Sequence, residues 1–211
     1  EILSKNGCMA EIKFWWNSVK PICFSEVLTL FGSPPLPPYI KRRINHEDKE
    51  RYQTIYAKAL GSAAAPTAGL HYTDRIIAGI KNRGCTIIDL ILHVGLGTFK
   101  PVDVESVDQL VMHSEKDAIK SICNKIEENA EIIAVGTTAM RTLESLFQLG
   151  KKITLGKEVN IECIAEQWDA FEEQGKVGRL EAFKNLKKWM DRRSLSRIES
   201  KTSILLSPGC E

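Results

Sequence analysis

The sequence predicts an α/β fold: a largely parallel sheet flanked by helices. Two observations carry this. The apolar runs 85–94 and 131–135 are rich in isoleucine and too short for helices. Such runs read as strands buried on both faces. Around them lie segments with apolar residues at helical spacing, so the order is helix, strand, helix, strand, helix. A third observation points to a site. Ligands collect outside the carboxyl ends of strands in such sheets, and a glycine-bearing loop follows each run.

Each element has its own signal. Glu11-Ile12-Lys13-Phe14-Trp15-Trp16 reads as a short strand bounded by Asn17 and Ser18. Residues 24–31 read as a helix capped by Ser25 and ended by Gly32, with Val27, Leu28 and Phe31 on one face. Ser33-Pro34-Pro35-Leu36-Pro37-Pro38 forces an extended connector, since each proline fixes φ and restricts its predecessor. It reads as a domain seam or a stiff loop. Residues 46–58 have helical composition. Residues 73–83 form a helix with Thr73 as N-cap, an Ile76, Ile77 and Ile80 stripe and Gly84 beyond its end. Ser114 caps a helix through Asn129, and a helix after Gly136 closes at Gly150. Residues 151–201 are more charged, with few clear strands. Within them residues 179–193 read as a helix with Leu180, Phe183, Leu186 and Met190 inward. A final strand is expected at 202–206.

The bulk numbers narrow the class. The chain has 211 residues, enough to bury a real core, and its 43% hydrophobic and 27% charged content is that of a globular protein. Net charge is +2, so a nucleic-acid partner must be held by local patches rather than a global field. The six cysteines form no C-x-x-C pair. With Cys123 on a helix face and Cys85 opening a strand, they read as buried free thiols, not a disulfide framework or zinc site. That usage fits a reducing cytoplasm. No run of about eighteen apolar residues predicts a membrane span, and no signal peptide is visible.

Three of the four histidines fall within one window. His71 follows Gly61-Ser62-Ala63-Ala64-Ala65-Pro66-Thr67-Ala68-Gly69-Leu70; His93 opens His93-Val94-Gly95-Leu96-Gly97-Thr98-Phe99-Lys100-Pro101-Val102; His113 sits in Met112-His113-Ser114-Glu115. Imidazole exchanges protons near neutral pH, and glycine and proline shape tight backbones. The combination predicts an active site on loops.

Those segments, with Val135-Gly136-Thr137-Thr138-Ala139-Met140-Arg141-Thr142-Leu143-Glu144-Ser145, closely resemble the S-adenosylmethionine:tRNA ribosyltransferase-isomerases of queuosine synthesis. Pro35-Leu36-Pro37-Pro38-Tyr39-Ile40 and Arg51-Tyr52-Gln53-Thr54-Ile55-Tyr56 fit as well. The dense resemblance covers residues 34–146, with a short tail at 202–211. It implies an α/β catalytic domain joined to an inserted small β-barrel. Residues 1–20 would be the trailing part of the barrel, 21–38 a helix and proline-rich connector, and 39–211 the catalytic domain, incomplete at both ends. On this reading the chain is a fragment. The start of the family's α/β domain would precede Glu1, and a Thr-Asn-Phe-His segment would follow Glu211.

The resemblance also implies a reaction. The ribosyl part of S-adenosylmethionine passes to the aminomethyl group of 7-aminomethyl-7-deazaguanine in tRNA and isomerises to the epoxide of epoxyqueuosine. Adenine and methionine leave. S-adenosylmethionine is then a consumed co-substrate; no other cofactor, metal, membrane or obligate protein partner is expected. Two carbon- or nitrogen-bound protons must be removed, which needs bases poised near neutral pH. His71, His93 and His113 are the candidates, with Glu115 as carboxylate partner or as an electrostatic complement to its own helix. Thr67, Thr98, Thr137 and Thr138 can hydrogen-bond ribose or carboxylate. Gly69, Gly95, Gly97 and Gly136 shape the binding loops, and backbone amides at 136–138 form an anion site. Lys100 and Arg141 are anion clamps.

Each feature has a plainer alternative. A strand-end histidine is often a core residue, and Pro66-Thr67-Ala68-Gly69 alone is a tight turn. Gly95-Leu96-Gly97 is no dinucleotide fingerprint. Arg141 and Glu144 fit a solvated helix pair. Asp89 reads equally as a strand-edge residue or a buried ligand contact. Lys41-Arg42-Arg43 and the 184–197 face are RNA phosphate candidates or solvated surface. The alternative functions are a truncated, non-catalytic homologue that keeps nucleotide or RNA binding, and a small-molecule α/β transferase or hydrolase without tRNA dependence.

Overall fold

Alternation along one strand sets the architecture. In Leu110-Val111-Met112-His113-Ser114-Glu115 the odd and even side chains point to opposite sheet faces, and Leu110, Met112 and Ser114 are the buried set. Their face needs a cover, and three amphipathic helices supply it. The structure is a computed structural model describing residues 1–6, 9–33, 35–37, 39–58, 61–62, 64–95, 109–172 and 176–207. It divides into two units, Glu1–Ser33 and Pro34–Glu211.

The first unit holds an antiparallel hairpin, β1 (Ile2–Asn6) with β2 (Met9–Ile12), and helix α1 (Phe24–Phe31). The strand expected over 11–16 ends at Ile12, where its pairing partner ends. Helix α1 matches its expected bounds, but its cap is Cys23 rather than Ser25. Glu26 Oε2 accepts the Cys23 N–H at 2.6 Å, the reciprocal half of a capping box.

The second unit is a two-layer α/β structure. Its helices are α2 (Asp48–Arg51), α3 (Asp74–Asn82), α4 (Lys116–Glu127), α5 (Thr137–Thr154) and α6 (Arg179–Arg192). Its strands are β3 (Ile91–His93), β4 (Leu110–Glu115), β5 (Cys163–Ala165) and β6 (Arg197–Thr202), in sheet order β3-β4-β6-β5. Met112 of β4, Ile198 of β6 and Ile164 of β5 join Ile119, Ile122, Leu146, Leu149, Phe183, Leu186 and Met190 of α4, α5 and α6 in one core. Each such side chain contributes roughly 1.5–3 kcal/mol by leaving water.

The sheet corrects the expected topology. It is mixed: β3–β4 and β4–β6 are antiparallel, and only β5–β6 is parallel. That parallel pair is joined through α6, as a crossover connection requires. The two apolar runs that suggested parallel strands behave otherwise. Of residues 85–94 only Ile91–His93 pairs, and Cys85 is exposed. Residues 131–135 form no strand, and Ile133 is 77% exposed. A strand exists only where a neighbour satisfies its backbone groups, and neither run has such a neighbour among the described residues.

Other boundaries shift for local reasons. The helix expected over 46–58 is a single turn, α2. Ser114 lies inside β4 instead of capping α4, whose N-cap is Glu115. Helix α5 runs through Gly150 to Thr154. Gly150 is a close-approach residue instead: a Cβ there would lie 2.5 Å from the Ala182 carbonyl oxygen of α6. The last strand is β6, not 202–206, and β5 was not anticipated. Helix α3 takes Thr73 as its N-cap, whose hydroxyl accepts the Ile76 N–H at 3.3 Å.

Candidate functional site

The face of the sheet turned away from α4, α5 and α6 carries the other half of each alternating pattern. Val111, His113 and Glu115 stand there on β4, and Arg197, Glu199 and Lys201 on β6. Register aligns them into rows: Ile91, His113 and Glu199 are consecutive cross-strand partners, as are His93, Val111 and Lys201. Directly opposed side chains lie within contact range.

Two imidazoles meet in this array. The His93 and His113 rings stand edge to face, centroids 4.9 Å apart and planes at 70°. His113 Nε2 lies 3.8 Å from Glu199 Oε1, and Arg197 Nη2 holds the other Glu199 oxygen at 2.9 Å. A neutral imidazole offers one donor and one acceptor nitrogen, so the row supplies two such groups beside a carboxylate. The His113 side chain is 23% exposed, shielded yet reachable. Glu115 lies two residues along the same face, exposed at the N-cap of α4.

Glycine loops close around the pair. A Cβ on Gly61 would lie 2.9 Å from His93 Nδ1, so backbone packs directly against that ring. The Ser62 hydroxyl accepts the Val94 N–H at 3.2 Å, tying this loop to the end of β3. The loop continues into a 3-10 turn, Thr67–Gly69. Gly69 is buried beneath the Tyr56 hydroxyl and the Thr54 methyl group. Burial pushes the Tyr56 phenol above its usual range. The same turn abuts the start of α5, where a Cβ on Gly136 would lie 3.3 Å from the Ala68 methyl. Gly136 has φ 89°, a left-handed value that favours glycine. It caps α5 with no side-chain partner, so the first amides of the helix, at Thr137 and Thr138, face outward as an anion-binding end would.

The remaining expected site residues are placed differently. His71 is exposed beyond the 3-10 turn, and among the described residues no hydrogen bond or ring contact joins it to His93 or His113. Arg141 is half-buried and donates to the Thr202 carbonyl at 3.2 Å, which fastens α5 to β6. Gly95 is exposed just past β3. Gly97, Thr98 and Lys100 lie outside the described residues. Asp89 is 69% exposed, with Lys58 Nζ 3.8 Å away, so it is no buried ligand contact. Glu144 accepts from Gln148 rather than pairing with Arg141. Of the Lys41-Arg42-Arg43 run, Arg42 is engaged by Asp48 at 2.6 and 2.8 Å.

Sequence reasoning missed Glu199 and read Arg197 only as the end of a basic face. The strand signal was present: Arg197-Ile198-Glu199-Ser200-Lys201-Thr202 alternates strictly between exposed and buried. It was masked because charged residues dominate the run and it follows a basic helix.

Comparison with known proteins adds a family to this geometry. A family profile described as "Queuosine biosynthesis protein" matches residues 2–192. A relative from Desulfitobacterium hafniense (strain DSM 10664 / DCB-2), named S-adenosylmethionine:tRNA ribosyltransferase-isomerase, is 53% identical over 140 residues, 64% of this chain and 40% of that protein. One of the same name from Staphylococcus saprophyticus is 53% identical over 128 residues, 58% of this chain and 37% of its own length. The chain thus matches about two-fifths of the length of these curated relatives. No solved structure matches it. With the family profile spanning most of its length, this chain belongs to the queuosine biosynthesis protein family.

Proposed function

We propose that the chain is part of an enzyme that transfers the ribosyl portion of S-adenosylmethionine to 7-aminomethyl-7-deazaguanine in tRNA. The transferred ribose is isomerised to the epoxide of epoxyqueuosine, and adenine and methionine are released. The observation that carries this reading is the His93–His113 contact, walled by the Gly61 loop, in a chain of this family. The names of the two relatives support it.

In this reading His93 and His113 exchange the protons of the reaction, with Glu199 and Glu115 as nearby carboxylates. His71 approaches from the loop side. Thr67, Gly69, Thr137 and Thr138 contact ribose or the methionine carboxylate, with the amides at 136–138 as anion donors. Gly95, Gly97, Thr98 and Lys100 form a second wall, and Arg141 braces the floor. The β1–β2 hairpin is the trailing piece of the inserted barrel. S-adenosylmethionine is consumed, and no further cofactor is required. The enzyme works in the cytoplasm on tRNA; no described helix is long and apolar enough to cross a membrane.

The test is to incubate the protein with S-adenosylmethionine and tRNA bearing the aminomethyl base, and to measure adenine. tRNA-dependent release is expected. Release without tRNA would make the protein a simple nucleosidase. Binding of tRNA without release would support the non-catalytic alternative.

A further inference from the structure

Beyond the histidine face the second unit has another cleft, of about 450 Å³, where the C-terminal ends of α5 and α6 come together. Its apolar floor is Ile153, Val159, Ile161 and Trp189. Lys157, Arg192 and Arg193 rim it, with Glu158 as the one carboxylate in the lining. The Arg193 guanidinium lies over the Trp189 ring, 4.4 Å from its centroid. Trp189 packs against the core on its inner side. None of the three rim cations has a carboxylate partner among the described residues, whereas Lys184 and Lys187 on the same helix are paired with Glu127 and Asp191. The basic charge left unneutralised is therefore concentrated at the cleft.

This chemistry suits one ligand class. An indole with a guanidinium stacked on it presents a flat, cationic surface, and unpaired nucleobases stack on such planes. Cations beside an aromatic platform are how proteins hold single-stranded nucleic acid. The cleft's size is that of a site for one small molecule or one nucleotide. We propose that this cleft is a docking site for an unpaired nucleotide of the tRNA. A base stacks on Arg193 and Trp189, and flanking phosphates meet Lys157 and Arg192. The proposal rests on the tRNA reading above and extends it to a surface outside the histidine face. Sequence supports the placement: four residues after Arg193 the chain reaches Arg197 on the open sheet face. One strand of RNA can follow that turn from cleft to site.

Equilibrium tRNA binding across a salt series tests this, using the wild type, Arg192→Glu/Arg193→Glu, Trp189→Phe and Trp189→Leu. The charge-reversed protein is expected to bind tRNA at least about tenfold more weakly. Its log–log salt slope should be shallower by about 1.4 to 1.8, the equivalent of two phosphate contacts. The Leu variant should lose about 5- to 100-fold and the Phe variant much less. The KM for tRNA should rise while kcat and the KM for S-adenosylmethionine hold. AMP serves as the free-nucleotide probe. If the wild type binds tRNA and folded charge-reversed protein binds it equally at every salt concentration, the cleft is not a tRNA site, and the proposed reaction stands. Loss of AMP binding alone, with tRNA binding intact, overturns the tRNA site in the same way. If the wild type binds no tRNA at all, both proposals fall.

Discussion

His93 and His113 meet edge to face across adjacent strands, with ring centroids 4.9 Å apart, although 20 positions separate them in the chain. The β3–β4 register makes this contact, by setting Ile91 opposite His113 and His93 opposite Val111. If these rings move the protons of the reaction, His93→Ala and His113→Ala should each lower kcat by about 10²- to 10⁴-fold. Single-turnover assays at saturating substrate, with circular dichroism to confirm folding, measure it. Near-normal turnover in both variants would remove the pair from the mechanism.

Gly150 gives a stability prediction opposite to the usual one. In an exposed helix interior, glycine to alanine stabilises by about 1 kcal/mol. Here the added methyl would meet the Ala182 carbonyl of α6 at 2.5 Å, and backbone cannot rotate aside. Gly150→Ala should therefore destabilise by about 1–3 kcal/mol, by prising α5 from α6. Urea midpoints decide the sign, and a raised midpoint would contradict the packing described.

Lys152 and Asp169 form the most enclosed ion pair among the described residues, at 2.6 Å with side chains only 15% and 6% exposed. Asp169 also accepts the Glu166 N–H at 2.7 Å, and Lys152 donates to the Ile164 carbonyl. Asp169→Leu alone leaves a buried ammonium unpaired and should cost about 3–5 kcal/mol. Adding Lys152→Met should restore most of that loss. A double-mutant cycle in urea tests it, with additive losses as the contrary result.

Asp48 predicts an acid limb. The Arg42 guanidinium, followed by the Asn45 N–H, lowers its carboxyl from 3.8 to about 2. A folded-state value below the unfolded one stabilises the protein above the unfolded pKa. That stabilisation fades as pH falls toward the folded pKa. The stability advantage of wild type over Asp48→Asn should thus be constant at neutral pH, shrink from about pH 4 and be lost near pH 2. Urea titrations at closely spaced pH values would show this; an advantage unchanged through that window would rule out the pairing.

Much of this was legible in advance, for identifiable reasons. Helix α1 was read to the residue, and α3 and α6 nearly so, because caps and 3.6-residue stripes are local signals. The strands were harder. Residues 131–135 carry strand composition but no ladder, while charged β6 pairs on both sides and sits at the centre of the sheet. Apolar content reports what a segment can bury, not which segment will lie beside it.

The amino-acid sequence by itself determined the helices, the α/β class, the motif loops and the family they mark. All of these depend on residues close together in the chain. Only the tertiary structure decided that the sheet is mixed, that His113 stands within a strand and touches His93, and that Glu199 is its neighbour. It alone showed that Gly150 is a contact and not a stop. The physical reason is common to all four. Register and helix packing bring together groups 20 to 90 positions apart, and no local pattern encodes which of the possible partners will satisfy a backbone or fill a space.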